Sequence, residues 1–517
     1  MDSEKITAGV RPAEWYEKEN QAVIPRPARV FTGTERLCAW GMIVLGYGLF
    51  RACPVYKYPL GAMLLLWALF GMTLFTLAKN HHPVRGMALA VCLSALPVSL
   101  SLFFSDNGMI QTAAFLYGIA AYAYTVYAAC GNTLEEGLSD LLPMDLLRAV
   151  FVLPFAAFGS LLQAVGGGGI WKKSGKVLLR IFGGLSLAML PTLLTVSLLS
   201  YDSKFRDSMN DLFSLDLGDL FGHLLDLGLG FLLALYLFGL YTSATEKRCE
   251  NWLTAAGCRD TAGRMHSFSP VTACSAVCPV LFVYGVFFFS QWENYVSAFR
   301  GTLPENILYS EYAREGFFEL CAVSFLNLVL LTATGMFTRR SDPGTNRAHP
   351  AVRILHTVLS GCTLVLIATA VSKMFLYIET YGLTPKRVYA TWFMAVLTLV
   401  FVLVIVKQFI PRLRLIALSM AVCVGMFALL GLSDVEGQIA AYNVDRYLAG
   451  TLEEPDFAGL GDSAVPEKIR GGLYHPVHPA LAQSHTEDWE TENPFTLTLP
   501  ELRAKAAVEA WEAENFR

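Results

Sequence analysis

Three groups of residues in this 517-residue chain have types and spacings that could do chemistry. Asp216, Asp219, His223 and Asp226 recur at intervals of three and four. On a helix turning 100° per residue they fall within an arc of about 80°, so one face would carry three carboxylates and an imidazole. Tyr312, Glu315 and Glu319 share a helix face in the same way, with Arg314 roughly opposite. Either stripe could hold a cation, relay a proton or bind a polar ligand. A third cluster holds Lys373, Tyr377, Glu379, Tyr381, Thr384, Lys386 and Arg387. Its tyrosines suit a membrane–water interface, and its cations suit a carboxylate or phosphate.

Each group has a plainer reading beside the functional one. An ionisable side chain inside a bilayer costs a few kcal/mol, so it turns toward the helix bundle or a wet cavity. Asp226 and Glu319 could pair with Arg314, Lys373 or Arg387 and merely fix helix packing. The tyrosines could serve only as interfacial anchors.

Other motifs fail on spacing. Five residues separate Gly169 from Gly175 before Lys176, where a phosphate loop needs four, and Val177 stands where its Mg²⁺-binding hydroxyl belongs. His475 and His478 flank a Pro-Val pair that keeps them off a helix, and Cys249, Cys258 and His266 make an equally weak metal set. Cys274 and Cys278 share one helix face and read as packing residues. No cofactor or metal is implied.

The elements that position these groups are membrane helices. Apolar residues make up 54% of the chain and charged ones 16%, against about 25% in soluble domains. A net charge of −4 lacks the basic stripe a nucleic-acid partner would need. A spanning helix takes about twenty apolar residues. Such runs lie near 37–52, 58–78, 86–104, 110–130, 177–200, 222–243, 269–290, 315–336, 353–372, 388–408 and 413–432. The expected fold is therefore an all-α polytopic bundle of about eleven transmembrane helices in a lipid bilayer. Its divisions are a polar segment 1–36, four spans over 37–130, a linker 131–176, seven spans over 177–432 and a tail 433–517. Residues 1–35 show no cleavable signal, which makes the first span an uncleaved anchor.

Lys and Arg concentrate in the loops that share a side with the N-terminus, which places that side in the cytoplasm and the tail outside. Residues 145–165 are apolar but flanked by Arg148, Lys172, Lys173 and Lys176, which favours an interfacial helix or re-entrant loop over a twelfth span. In the tail, Ser433 to Glu436 and Thr498 to Glu501 read as capping boxes opening two helices, the first stopping at Gly450.

Glu311-Tyr-Ala-Arg-Glu-Gly-Phe-Phe-Glu-Leu320, Met374 to Thr384 with Arg387 and Trp392, Tyr442-Asn-Val-Asp-Arg-Tyr447 with Gly450, and Asp462-Ser-Ala-Val-Pro466 resemble a family of bacterial membrane proteins. That family is domain of unknown function 4173, with a sister group 4153. The resemblance covers about Asp202 to Pro466, and the first four spans carry no such mark. It implies a polytopic protein of the bacterial cytoplasmic membrane, with no activity or catalytic residues to carry over. It places Glu311, Tyr312, Arg314, Glu319, Tyr377, Glu379, Tyr381, Arg387, Asn443 and Arg446 on or near the outer face.

Three functions are consistent with these residues. The first is binding or transport of an ion or polar solute through the outer-face residues Asp219, His223, Asp226, Tyr312, Arg314, Glu315, Glu319, Lys373, Tyr377, Glu379, Tyr381 and Arg387. The second is a non-catalytic sensor or scaffold whose tail contacts a protein partner. The third is an enzyme acting on a lipid-linked envelope substrate, for which no catalytic signature is present.

Overall fold

A computed structural model describes residues 29–53, 58–166, 217–248, 268–290, 317–339, 349–474 and 494–515, with isolated positions between them. Among the described residues the chain is helical, with one isolated bridge between Phe268 and Thr338.

Helix α1 (Gly33–Arg51) opens on a capping box. The Glu35 N–H donates to Thr32 Oγ1 at 3.3 Å, and the Thr32 N–H donates to Glu35 at 2.9 Å. The helix therefore starts four residues before the expected 37, because two free N–H groups are satisfied there. Helices α2 (Pro59–Lys79), α3 (Met87–Phe104) and α4 (Gly108–Ala129) complete the first group. Proline opens α2, as it later opens α9, α11 and α12, at a position where its missing N–H costs nothing.

The stretch expected to be interfacial or re-entrant is a broken helix. It runs as α5 (Leu142–Leu147), a π turn (Arg148–Val152), α6 (Leu153–Ala156) and α7 (Ser160–Val165). Its pieces pack against α8 (Leu217–Thr245), where Tyr236 Oη donates to the Val150 carbonyl at 2.9 Å. Asp145 is buried there and accepts from Tyr127 Oη at 2.7 Å and from the Leu134 N–H at 3.1 Å.

The second group is α9 (Pro270–Ser290), α10 (Phe317–Phe337), α11 (Pro350–Tyr381), α12 (Pro385–Phe409) and α13 (Leu415–Leu432). Seven helices among the described residues are long and apolar enough to cross a membrane: α2, α3, α8 from Asp226, α9, α11, α12 and α13. Helices α1 and α4 run to 19 and 22 residues inside the same bundle. The expected span at 177–200 lies almost wholly outside the described residues, so the total of eleven stays an expectation.

Contacts fix how the helices alternate. Arg51 at the end of α1 meets Asp226 near the start of α8, while Arg29 before α1 meets Thr245 and Glu246 at the end of α8. The two helices are antiparallel. They cross closely at small residues: a Cβ on Gly46 would lie 2.5 Å from the Gly230 carbonyl oxygen. At the opposite corner, Arg414 before α13 reaches Glu135 at 3.0 Å, and Gly431 near the end of α13 sits against Ser101 and Ile110. The bundle thus has a basic end, with Arg29, Lys79, Arg248 and Arg414, and a tail end, with Arg51, Asp106, Asp226 and Gly382. One apolar core joins α1–α8 with α13, and a second joins α9–α12.

Helix α11 has 32 residues, about 48 Å of rise against a hydrocarbon core of about 30 Å. Lys373, Tyr377, Glu379 and Tyr381 therefore stand on its last turns and not in a connection between spans, as the hydropathy pattern suggested. The tail forms α14 (Val435–Leu448), a 3₁₀ turn (Asp462–Ala464), α15 (Val465–Arg470) and α16 (Leu499–Asn515). Gly450, at φ +71°, follows α14 as expected. The box at Thr498 and Glu501 forms, with N–H donations of 3.3 and 3.4 Å. The box expected at Ser433 does not. Asp434 caps α14 by accepting from the Gly437 N–H at 3.2 Å, Ser433 Oγ donates to the Leu430 carbonyl, and Glu436 turns to Asn107.

Candidate functional site

Of the first acidic stripe, Asp219 and His223 lie on α8 but their side chains are outside the described residues, and Asp216 is outside altogether. Asp226 is described. Its carboxylate is 4% exposed and accepts a charge-assisted hydrogen bond from Arg51, whose side chain is 39% exposed. That partner is a residue of α1, which the sequence pattern did not point to. Tyr312, Arg314 and Glu315 lie outside the described residues, and Glu319 stands in α10 with its side chain outside them.

Of the third cluster, Tyr377, Tyr381 and Arg387 are brought together where α11 ends. A helix leaves its last carbonyls without intrahelical donors, and cations suit that negative end. The Arg387 guanidinium donates to the Tyr381 carbonyl at 3.1 Å and to that of Gly382, and lies 4.0 Å from the centre of the Tyr377 ring. Tyr377 and Tyr381 meet edge to face. Arg446 of α14 donates to the Ile378 carbonyl at 3.3 Å and to that of Glu379. Asn443 accepts from the Leu383 N–H at 2.7 Å and donates to the Leu383 carbonyl at 2.9 Å. Gly382 is required beneath it: its φ is +76°, and a Cβ would fall 2.7 Å from Asn443 Oδ1. The family-like residues of α11, α12 and α14 therefore build the seat of the tail.

A second seat was not visible in the sequence. Asp106 and Asn107, in the short turn between α3 and α4, hold three separate parts of the tail. Asn107 donates to Glu436 at 2.9 Å and to Tyr389 of α12 at 3.0 Å. Asp106 accepts from the Asp462 N–H at 2.9 Å and from Thr498 Oγ1 at 3.1 Å. The one local signal was Ser105-Asp-Asn-Gly108, turn-forming residues between two apolar runs.

Burial raises the Glu436 carboxyl above its ordinary 4.5; the Asn107 amide opposes this, and the Asp106 and Asp434 charges add to it. The docked tail thus binds that proton more tightly than the free tail would. Its contribution is complete below pH 4.5 and is lost as pH rises through the raised value. Protease protection of the tail is expected to weaken over that window in the wild type, and to lose this pH step in Glu436→Gln. An equal step in both proteins contradicts the assignment to Glu436.

At the basic end, Arg29, Thr32, Glu35, Lys79, Asn80, His81, His82, Thr245 and Glu246 line an open cavity of about 620 Å³. Arg29 bridges Glu35 and Glu246 there, and Asn80 donates to Glu35 at 3.1 Å and to Tyr241 at 2.7 Å. His82 is held below its usual value by burial and by Lys247, Arg29 and His81.

Long apolar helices in two adjoining cores, with a polar tail seated on one end, define a multi-pass membrane protein. The chain belongs to the family described as Domain of unknown function (DUF4153), which matches residues 86–471. No curated protein and no solved structure matches it. The family region begins at α3, so it takes in two of the four spans that the sequence motifs had left unmarked. It includes both seats of the tail.

Proposed function

We propose that this membrane protein binds an ion or small polar solute at its tail end, on the face of α8 that carries Asp219, His223 and Asp226, with Glu319 of α10 contributing. The observation that carries this reading is the carboxylate of Asp226, buried in a helix otherwise apolar enough to span. Intramembrane ionisable groups are rare and concentrate on ligand and ion pathways. In this reading the tail end faces outward across a bacterial cytoplasmic membrane, and the basic end faces the cytoplasm.

Thermal unfolding of the purified protein against sodium, potassium, magnesium, calcium, phosphate and amino acids tests it. At least one should raise Tm, and Asp226→Asn and Glu319→Gln should each abolish that rise. A rise that survives both substitutions overturns the reading.

A second reading has its own observation. The tail is seated on both the α3–α4 turn and the α11–α12 turn, so it ties together elements of the two cores. That suits a sensor or scaffold whose tail presents a surface to a protein partner. Loss of a co-purifying partner on deleting residues 435–517, with no small-molecule stabilisation of the full chain, is the result this reading expects.

A further inference from the structure

The interface of α9, α10 and α11 carries a line of polar side chains that none of the groups above includes. On α10 and its last turn, Ser324, Asn327, Thr334 and Thr338 follow at intervals of three, seven and four; on α11, His356, Ser360 and Thr363 follow at four and three. All seven, with Tyr284 of α9, are buried. The helices are antiparallel, so the two rows register. Thr334 Oγ1 and His356 Nε2 are 2.9 Å apart at one level. Two turns further, Asn327 Nδ2 donates to Tyr284 Oη at 2.6 Å and to Thr363 Oγ1 at 2.8 Å. From Thr338 to Ser324 the line rises about 21 Å at 1.5 Å per residue, against a hydrocarbon core of about 30 Å.

Proton inventory favours one state of the histidine. Thr334 has one hydroxyl hydrogen, and it goes to the Leu330 carbonyl at 2.6 Å. Thr334 Oγ1 therefore accepts from His356, which places the ring hydrogen on Nε2 and leaves Nδ1 basic. Arg353, one turn earlier on α11, is turned away to the Gln408 carbonyl of α12 at 2.8 Å. From α10, Thr334 and the backbone of Gly335 face the ring; from α9, the polar group on the line is Tyr284. No carboxylate among the described residues is bonded to His356.

Two hydroxyls on the line have no hydrogen-bond partner among the described residues: Ser360 Oγ and Thr338 Oγ1. They bracket the His356–Thr334 pair, Ser360 one turn beyond His356 and Thr338 one turn beyond Thr334 on the other side. A buried hydroxyl left unsatisfied costs about 1–3 kcal/mol, and water is the small ligand that meets such a demand inside a protein.

We propose that α9, α10 and α11 enclose a hydrated seam in which water bridges Ser360 and Thr338 to the His356–Thr334 pair, forming a proton-conducting line. A hydronium proton binds Nδ1 as the Nε2 proton passes to Thr334 Oγ1, whose own hydroxyl hydrogen leaves to the bridging water. Reorientation of the ring before the Nε2–H tautomer is restored keeps the second exchange from reversing the first. Only N–H and O–H bonds change, and one proton moves per cycle.

Proteoliposomes holding a trapped pH dye, with an inside-negative potassium diffusion potential, read this directly. The wild type should acidify the lumen faster than protein-free vesicles, and His356→Gln should slow the protein-dependent rate by about tenfold or more, the imidazole being the one basic side chain among the residues named on the line. Ser360→Ala removes an unsatisfied hydroxyl without disturbing packing, so it should fold and still slow the rate by several-fold. No flux above empty vesicles, or a flux that Ser360→Ala and a folded His356→Gln leave unchanged, overturns the proposal. Ligand stabilisation at the Asp226 end should survive in both variants, so the two proposals fail separately.

Discussion

Replacing Arg51 with methionine is expected to destabilise the purified protein by about 3 kcal/mol. The reason lies with its partner. Asp226 keeps 4% of its side chain exposed, and without the guanidinium its buried charge would lose the Arg51 ion pair at the junction of α1 and α8. The Arg51 side chain is 39% exposed, which holds the expected loss to the lower end for broken buried pairs. Removing both charges with Arg51→Met and Asp226→Leu should recover stability to within about 1 kcal/mol of wild type, because the desolvation cost goes with the pair. Unfolding in mixed micelles measures all four corners of that cycle. If Arg51→Met alone costs less than about 0.5 kcal/mol, water reaches Asp226 and the pair is a surface one.

The second large effect belongs to Asn443. This side chain is 1% exposed, and its amide satisfies both the N–H and the carbonyl of Leu383, with a further donation to the Asp456 carbonyl at 3.3 Å. Asn443→Leu would leave those groups unpaired, at a cost of about 2–3 kcal/mol that falls on tail docking and not on the membrane cores. Hydrogen exchange should then show α14 and α15 losing protection while α11 and α12 keep theirs. Asn443→Asp retains the acceptor for the Leu383 N–H and should fall between. Uniform loss of protection throughout the bundle would show that the tail and the bundle unfold as one unit.

What the sequence made legible follows from which forces are local. Hydropathy located the long apolar helices among the described residues, because burial in lipid acts on each run of residues by itself. Its edges were less exact: α1 began at its capping box, and α11 ran on to Tyr381 past the apolar window, carrying polar residues out on helical backbone. The Thr32–Glu35 pattern was present to be read; the length of α11 had no comparable marker. The box at Thr498 formed and the one at Ser433 shifted by a residue, since Glu436 serves a tertiary partner in Asn107. Partners across the chain were beyond reach for a plain reason. Arg51 and Asp226 are 175 residues apart, and no spacing rule connects them. The tail's hold on Asp106 and Asn107, and the polar line through α10 and α11, likewise exist only once helices are packed. The serines and threonines of that line sit singly in apolar runs, where each alone looks like an ordinary helix residue.

The central claim is a bundle that crosses the membrane with its tail seated on the end opposite the basic loops. Cysteine at Glu454, exposed in the tail, or at Arg85, exposed between α2 and α3, tests it in a Cys53→Ala background with a membrane-impermeant thiol reagent on intact expressing cells. Glu454→Cys should react before lysis and Arg85→Cys only after it. Reaction of both before lysis, or of Arg85→Cys alone, would contradict it.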